Sequence, residues 1–101
     1  MKLEGKKVLV VGAGKSGIAA SELLLDKKIE TVLYDGNKDL DVEKLYEKAP
    51  KLKGMPVLLG ELTDEQLRAF DVAVLSPGVP TDLPVVERMR AQNVCIWGEI
   101  E

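Results

Sequence analysis

Gly12-Ala13-Gly14-Lys15-Ser16-Gly17 follows directly on the apolar run Val8-Leu9-Val10-Val11, an order of residue types suited to holding a phosphate anion. Glycines let the chain turn tightly and bring its backbone close to a ligand. The helix that opens behind them presents unpaired N–H groups and the positive end of its dipole. The backbone N–H groups of Lys15 and Ser16 are the candidate donors to a diphosphate, with Gly14 and Gly17 shaping the turn and the Ser16 hydroxyl assisting. The plainer alternative has Ser16 capping the helix and Lys15 solvated. Gly14-Lys15-Ser16 also looks like the end of a triphosphate-wrapping loop. That loop needs a glycine five residues before Gly14, where this chain has Leu9, so ATP is excluded as its guest.

Two more segments carry candidate chemistry. Asp35, in Asp35-Gly36-Asn37-Lys38, lies 18 positions after Gly17, where dinucleotide enzymes hold a ribose diol with a carboxylate. A carboxylate there can equally accept from the ring N–H or hydroxyls of another nucleoside, or simply start a turn before Gly36. In Ser76-Pro77-Gly78-Val79-Pro80, Pro77 fixes the backbone and Gly78 allows close approach. Ser76 and the Gly78 N–H are therefore placed to close over a ligand, unless the segment is a plain turn.

These segments need elements that bring them together. Five short runs rich in valine and leucine, over residues 7–11, 31–34, 56–59, 72–75 and 94–97, are continuous rather than alternating, as in parallel strands covered on both faces. Between them, residues 16–26 carry Ile18, Ala19, Ala20, Leu23 and Leu24 as a wide apolar stripe. Val42, Leu45, Tyr46 and Ala49 repeat at helical spacing until Pro50 closes the helix. Thr63-Asp64-Glu65-Gln66 is a capping box for a short helix that buries Leu67 and Phe70. Asp82 suits the cap of a helix over 84–92, with Pro84 in its first turn and Val85, Val86 and Met89 inward. The order predicts an α/β fold, a Rossmann-like, doubly wound three-layer sandwich with a five-stranded, mainly parallel sheet. In that fold all three candidate segments fall at strand carboxyl ends, along one edge.

Composition narrows the chemistry. The chain of 101 residues allows one domain over 1–101 and no separate catalytic domain. Its net charge of −3 argues against nucleic-acid and anionic-membrane partners. No apolar run approaches the roughly 18 residues of a membrane span, and the start does not read as a signal peptide, so a cytoplasmic location is expected. With no histidine and one cysteine, Cys95, the chain lacks an internal disulfide, the usual zinc ligands and any histidine-activated nucleophile. No catalytic residue and no metal ligand is assigned. Cys95 itself reads as a small buried strand residue. Trp97 and Ile100 read as a core edge or an interface.

Taken together, Val10-Val11-Gly12-Ala13-Gly14-Lys15-Ser16-Gly17, then Tyr34-Asp35, then Leu75-Ser76-Pro77-Gly78-Val79-Pro80 resemble the amino-terminal domain of the Mur ligases, in the branch that adds D-glutamate during peptidoglycan synthesis. The ending Trp97-Gly98-Glu99-Ile100-Glu101 looks like that family's hinge into a central ATPase domain. Order and spacing agree over the whole chain. The L-alanine-adding branch, with a longer glycine loop and no Ser-Pro-Gly pattern, fits less well. The resemblance implies a domain that holds the UDP part of UDP-N-acetylmuramoyl-L-alanine. Gly14, Lys15 and Ser16 would face the diphosphate, Asp35 and Gly36 the uracil, and Ser76, Pro77 and Gly78 the nucleotide's other side. Asn37 stands where relatives often carry a basic residue, with Lys38 next along, so backbone contacts are expected there.

In the family, ATP phosphorylates the substrate carboxylate and the D-glutamate amine attacks the acyl phosphate. The resemblance places the ATP and Mg²⁺ sites in central and carboxyl-terminal domains that this sequence does not contain. The chain alone is then expected to bind without turning over. Two other readings remain from the residues themselves: a domain binding NAD(P), as in dehydrogenases or sensors, and a module that keeps only the fold.

Overall fold

A computed structural model describes residues 5–75 and 84–97. Ser76, Pro77, Gly78, Asp82, the side chain of Trp97 and residues 98–101 lie outside that description. The elements run β1 (Lys7–Val11), α1 (Lys15–Asp26), β2 (Glu30–Asp35), α2 (Val42–Lys48), a 3₁₀ turn (Pro50–Leu52), β3 (Val57–Leu59), α3 (Asp64–Arg68), β4 (Val72–Leu75), α4 (Pro84–Ala91) and β5 (Cys95–Trp97). The strands form one sheet in the order β3-β2-β1-β4-β5, with every pairing parallel. The chain steps from β1 to β2 on one side and returns to β4 on the other. The switch point of this doubly wound fold therefore lies at the carboxyl end of β1.

Strand β1 is central, and Val8, Leu9 and Val10 are completely buried. Its side chains alternate between two cores. Leu9 and Val11 join Val32, Tyr34, Ala73 and Leu75 under α3 and α4, with Leu67, Phe70, Val86 and Met89 closing the layer. Val8 and Val10 join Leu33 beneath Leu24, Ile29, Leu45, Leu52 and Met55, contributed by α1, α2 and the segments beside them. Burying each such aliphatic side chain contributes roughly 1.5–3 kcal/mol.

Local signals fix the helices. Thr63 Oγ1 accepts from Gln66 N–H at 3.1 Å and Gln66 Oε1 accepts from Thr63 N–H at 2.8 Å, the reciprocal box that starts α3. Asp41 caps α2 through Lys44 N–H at 3.2 Å. Helix α1 starts differently: Gly14 is its cap residue and no side chain caps it, so Ser16 sits inside the first turn.

Helices α1 and α4 stop in the same way. Lys28 and Asn93 take left-handed conformations, with φ of 62° and 64°. Ile29 N–H then reaches back to Leu24 C=O, and Val94 N–H to Met89 C=O. Each is a Schellman closure that delivers a buried apolar residue to the start of the next strand.

Two expectations are corrected. Leu23 is 57% exposed, and Ala19 is exposed too. Helix α1 turns Gly17, Ser21 and Leu24 inward instead, because small residues let it lie close on β1 and β2. Cys95 is exposed. It pairs with Val72 on the edge strand, so it points to the α1 side of the sheet, and α1 lies over β1 and β2 rather than over β5.

Candidate functional site

Gly12 directly follows β1 with φ of +104°, a conformation open to glycine and costly for other residues, and its N–H donates to Tyr34 C=O at 2.7 Å. The chain then turns so that Ala13 N–H donates to Asp35 Oδ2 at 2.9 Å. Asp35 Oδ1 accepts from Asn37 N–H at 2.8 Å, and Asn37 Oδ1 accepts from Asp39 N–H at 3.0 Å. The half-buried Asp35 carboxylate thus ties the glycine turn after β1 to the turn after β2. Each of its oxygens keeps a lone pair for a further donor. The turn-forming role is therefore real, and it leaves the carboxylate free to accept from a ligand.

Gly14, Lys15 and Ser16 lie exposed at the opening of α1, and Gly17 is buried beneath them. Next to this turn, at the carboxyl ends of β1, β2 and β3, an open groove of about 880 Å³ is lined by Asp35, Gly36 and Asn37 on one wall and by Val85 and Arg88 of α4 on another. Sequence reasoning placed Asp35, Gly36 and Asn37 in the site, and they share this groove. Gly14, Lys15, Ser16 and Gly17 form the adjoining helix mouth and do not line it.

The groove also has members that the sequence reading missed. Tyr34 lies on its floor and donates its hydroxyl to Gly60 C=O, while Gly60 N–H donates to Asp35 C=O at 3.0 Å. Gly60 needs φ of +80° to do both, and a side chain there would sit 3.5 Å from Lys38 Cβ. A glycine directly after a strand was the available signal. Burial pushes the Tyr34 hydroxyl above its ordinary value of 10.0. Asp35 and Glu61 push the same way, and Arg88 opposes them. Arg88 itself is held by Asp64, whose Oδ1 accepts from Nη2 at 2.8 Å and Nε at 3.2 Å.

A glycine turn opening a helix beside an acid-tied groove, at the switch point of an all-parallel sheet, defines a doubly wound, Rossmann-like α/β domain. The chain matches the family described as "Mur ligase MurD-like, N-terminal domain" over residues 6–98, and belongs to it. It is similar to the UDP-N-acetylmuramoylalanine–D-glutamate ligase of Lachnoclostridium phytofermentans, with 48% identity over the whole chain and 22% of that relative's length. The ligases of the same name from Lachnospira eligens and Myxococcus xanthus share 42% and 36% identity, again over the whole chain and 22% of theirs. The chain thus spans about a fifth of the curated relatives it matches.

Among solved structures, a pseudomurein peptide ligase type C from Methanothermus fervidus superposes with a TM-score of 0.71 at 18% identity, covering 92% of this chain and 19% of that one. An NADH-preferring ketol-acid reductoisomerase from an uncultured archaeon reaches 0.62 at 22% identity, covering 95% of this chain and 29% of that one. At such identities the likeness is one of fold, which dehydrogenase-type domains share. The family match therefore favours the ligase reading over the dinucleotide one. Among the described residues, no helix is long and apolar enough to cross a membrane.

Proposed function

We propose that this chain is the UDP-binding amino-terminal part of an ATP-dependent ligase that joins D-glutamate to UDP-N-acetylmuramoyl-L-alanine in bacterial peptidoglycan synthesis, in the cytoplasm. The observation that carries the reading is the family match over residues 6–98, on a chain whose glycine turn and groove are joined through Asp35. In this proposal the N–H groups of Lys15 and Ser16, shaped by Gly14 and Gly17, receive the diphosphate. Asp35, Gly36 and Asn37 receive the uracil, and Ser76, Pro77 and Gly78 the nucleotide's other side. ATP and Mg²⁺ act in further domains of the longer protein, where they activate the substrate carboxylate. The role of this chain is to hold and orient the substrate, and it has no turnover of its own.

One wall of a site supports only weak binding, about millimolar or roughly −4 kcal/mol. Amide shifts followed during separate additions of UDP, UDP-N-acetylmuramoyl-L-alanine and NADH test the reading. Shifts at residues 14–17 and 35–37 with the two uridine ligands, and not with NADH, are the expected result. A response to NADH with none to UDP overturns it.

A further inference from the structure

We propose that Arg88 is a specificity-determining residue of the groove, which selects a uracil ring over a cytosine ring by donating to the carbonyl beside the ring N–H. The inference rests on the uridine reading above and extends it to a residue of α4. The groove takes its walls from distant parts of the chain: Asp35 and Asn37 from the turn after β2, Val85 and Arg88 from α4. Lys38 and Arg88 are the basic residues among those lining it. Lys38 is exposed, a point charge on a flexible stem. Arg88 is anchored, because Asp64 takes both Nε–H and Nη2–H. Among the described residues Nη1 has no partner, so one end of a fixed, planar fork is left for a guest.

The groove thus carries a carboxylate on one wall and a guanidinium on another, an acceptor and a donor open to the same guest. The Tyr34 hydroxyl on the floor between the walls feels Asp35 and Glu61 in one direction and Arg88 in the other. The ring edge of uracil offers the complement, an N–H flanked by carbonyls. Cytosine keeps the C2 carbonyl but reverses the N3 and C4 groups, so a guanidinium that donates to the C4 oxygen of uracil meets an amino group instead, and the carboxylate meets a bare ring nitrogen. Unlike a missing contact, that reversal leaves polar groups facing their own kind, which is the stronger basis for rejection.

The test compares UDP with CDP in amide-shift titrations of the 101-residue chain, its Arg88→Met and Arg88→Lys variants, and Asp64→Asn. Met keeps the apolar stem, Lys keeps the charge without the fork, and Asn at position 64 releases the anchor. We expect wild type to favour UDP about ten-fold. Arg88→Met should bring the two ligands within about two-fold, by weakening UDP alone, with Arg88→Lys and Asp64→Asn in between. The proposal is overturned if Arg88→Met keeps the wild-type ratio while still binding UDP. Equal weakening of both ligands also overturns it, since that marks a general charge effect. A wild-type chain that fails to bind UDP overturns the uridine reading itself, and this inference with it.

Discussion

On one face of the sheet the 12-residue α1, α2 and the 3₁₀ turn close over Val8, Val10 and Leu33, and on the other a five-residue α3 and an eight-residue α4 cover Leu9, Val11 and Ala73. Both cores are built of apolar side chains, yet the groove opens on the second face. Length explains the difference. Twelve helical residues span about 18 Å, which matches a strand, whereas five span only about 7.5 Å. Among the described residues the short helices leave the carboxyl edge open, and the turns after β2 and β3 frame what remains. Both faces also bind hydroxyls to the backbone: Thr31 to Ile29 C=O and Tyr46 to Met55 C=O on the closed face, and Tyr34 to Gly60 C=O at the groove, while the Ser21 hydroxyl under α1 has no partner among the described residues. Helix length closes one face, and the turns shape the edge of the other.

The largest test of this contrast truncates one core leucine on each face. Leu33 and Leu67 are both completely buried. We expect Leu33→Ala to cost about 4 kcal/mol, because the long α1 and the strands around it cannot settle into the cavity. Leu67→Ala should cost about 2 kcal/mol, since the one-turn α3 can sink toward the sheet. Urea midpoints at unchanged slope measure both. Equal losses would show that the two faces are equally rigid, and would remove the packing explanation for the groove.

That difference between faces also marks what could be seen in the sequence. Continuous runs such as Val8-Leu9-Val10-Val11 announce parallel strands because both of their faces are buried, and all five strands stand within a residue or two of their expected bounds. The box at Thr63 and Gln66 was visible because capping is local chemistry. One wall of the groove was visible too, since Asp35, Gly36 and Asn37 follow a strand directly. The other wall was not. Arg88 reaches the groove only through the packing of α4 and its pairing with Asp64, 24 positions away, and no local pattern encodes such a contact. The exposure of Leu23 and Cys95 escaped for a related reason. Periodicity gives the width of an apolar stripe, but the neighbouring layer decides which part of it is covered.

A smaller effect is expected at Gly60, where the groove is held from below. Gly60→Ala places a side chain at φ of +80°, close to Lys38, and should cost about 1–2 kcal/mol. The amides of Asp35 and Gly36 should move, because Gly60 N–H would no longer meet Asp35 C=O squarely. Amides in the middle of α1 should stay in place. If they shift as much as those of the groove, the open edge is not mechanically separate from the closed face.

The smallest effect tests whether the two faces share one means of ending a helix. Lys28 closes α1 and Asn93 closes α4, both left-handed at nearly the same φ. Lysine carries the full steric cost of that conformation, whereas asparagine tolerates it through its short polar side chain. Lys28→Gly should therefore stabilise the chain by about 0.5–1 kcal/mol, and Asn93→Gly should change stability very little. For a domain of this size the first gain corresponds to a Tm rise of roughly 2–8 °C, which thermal unfolding resolves easily. A comparable rise from Asn93→Gly would mean that the left-handed position strains asparagine as much as lysine. The difference between the two variants isolates that one term, because the backbone hydrogen bonds of both closures are retained when glycine is introduced.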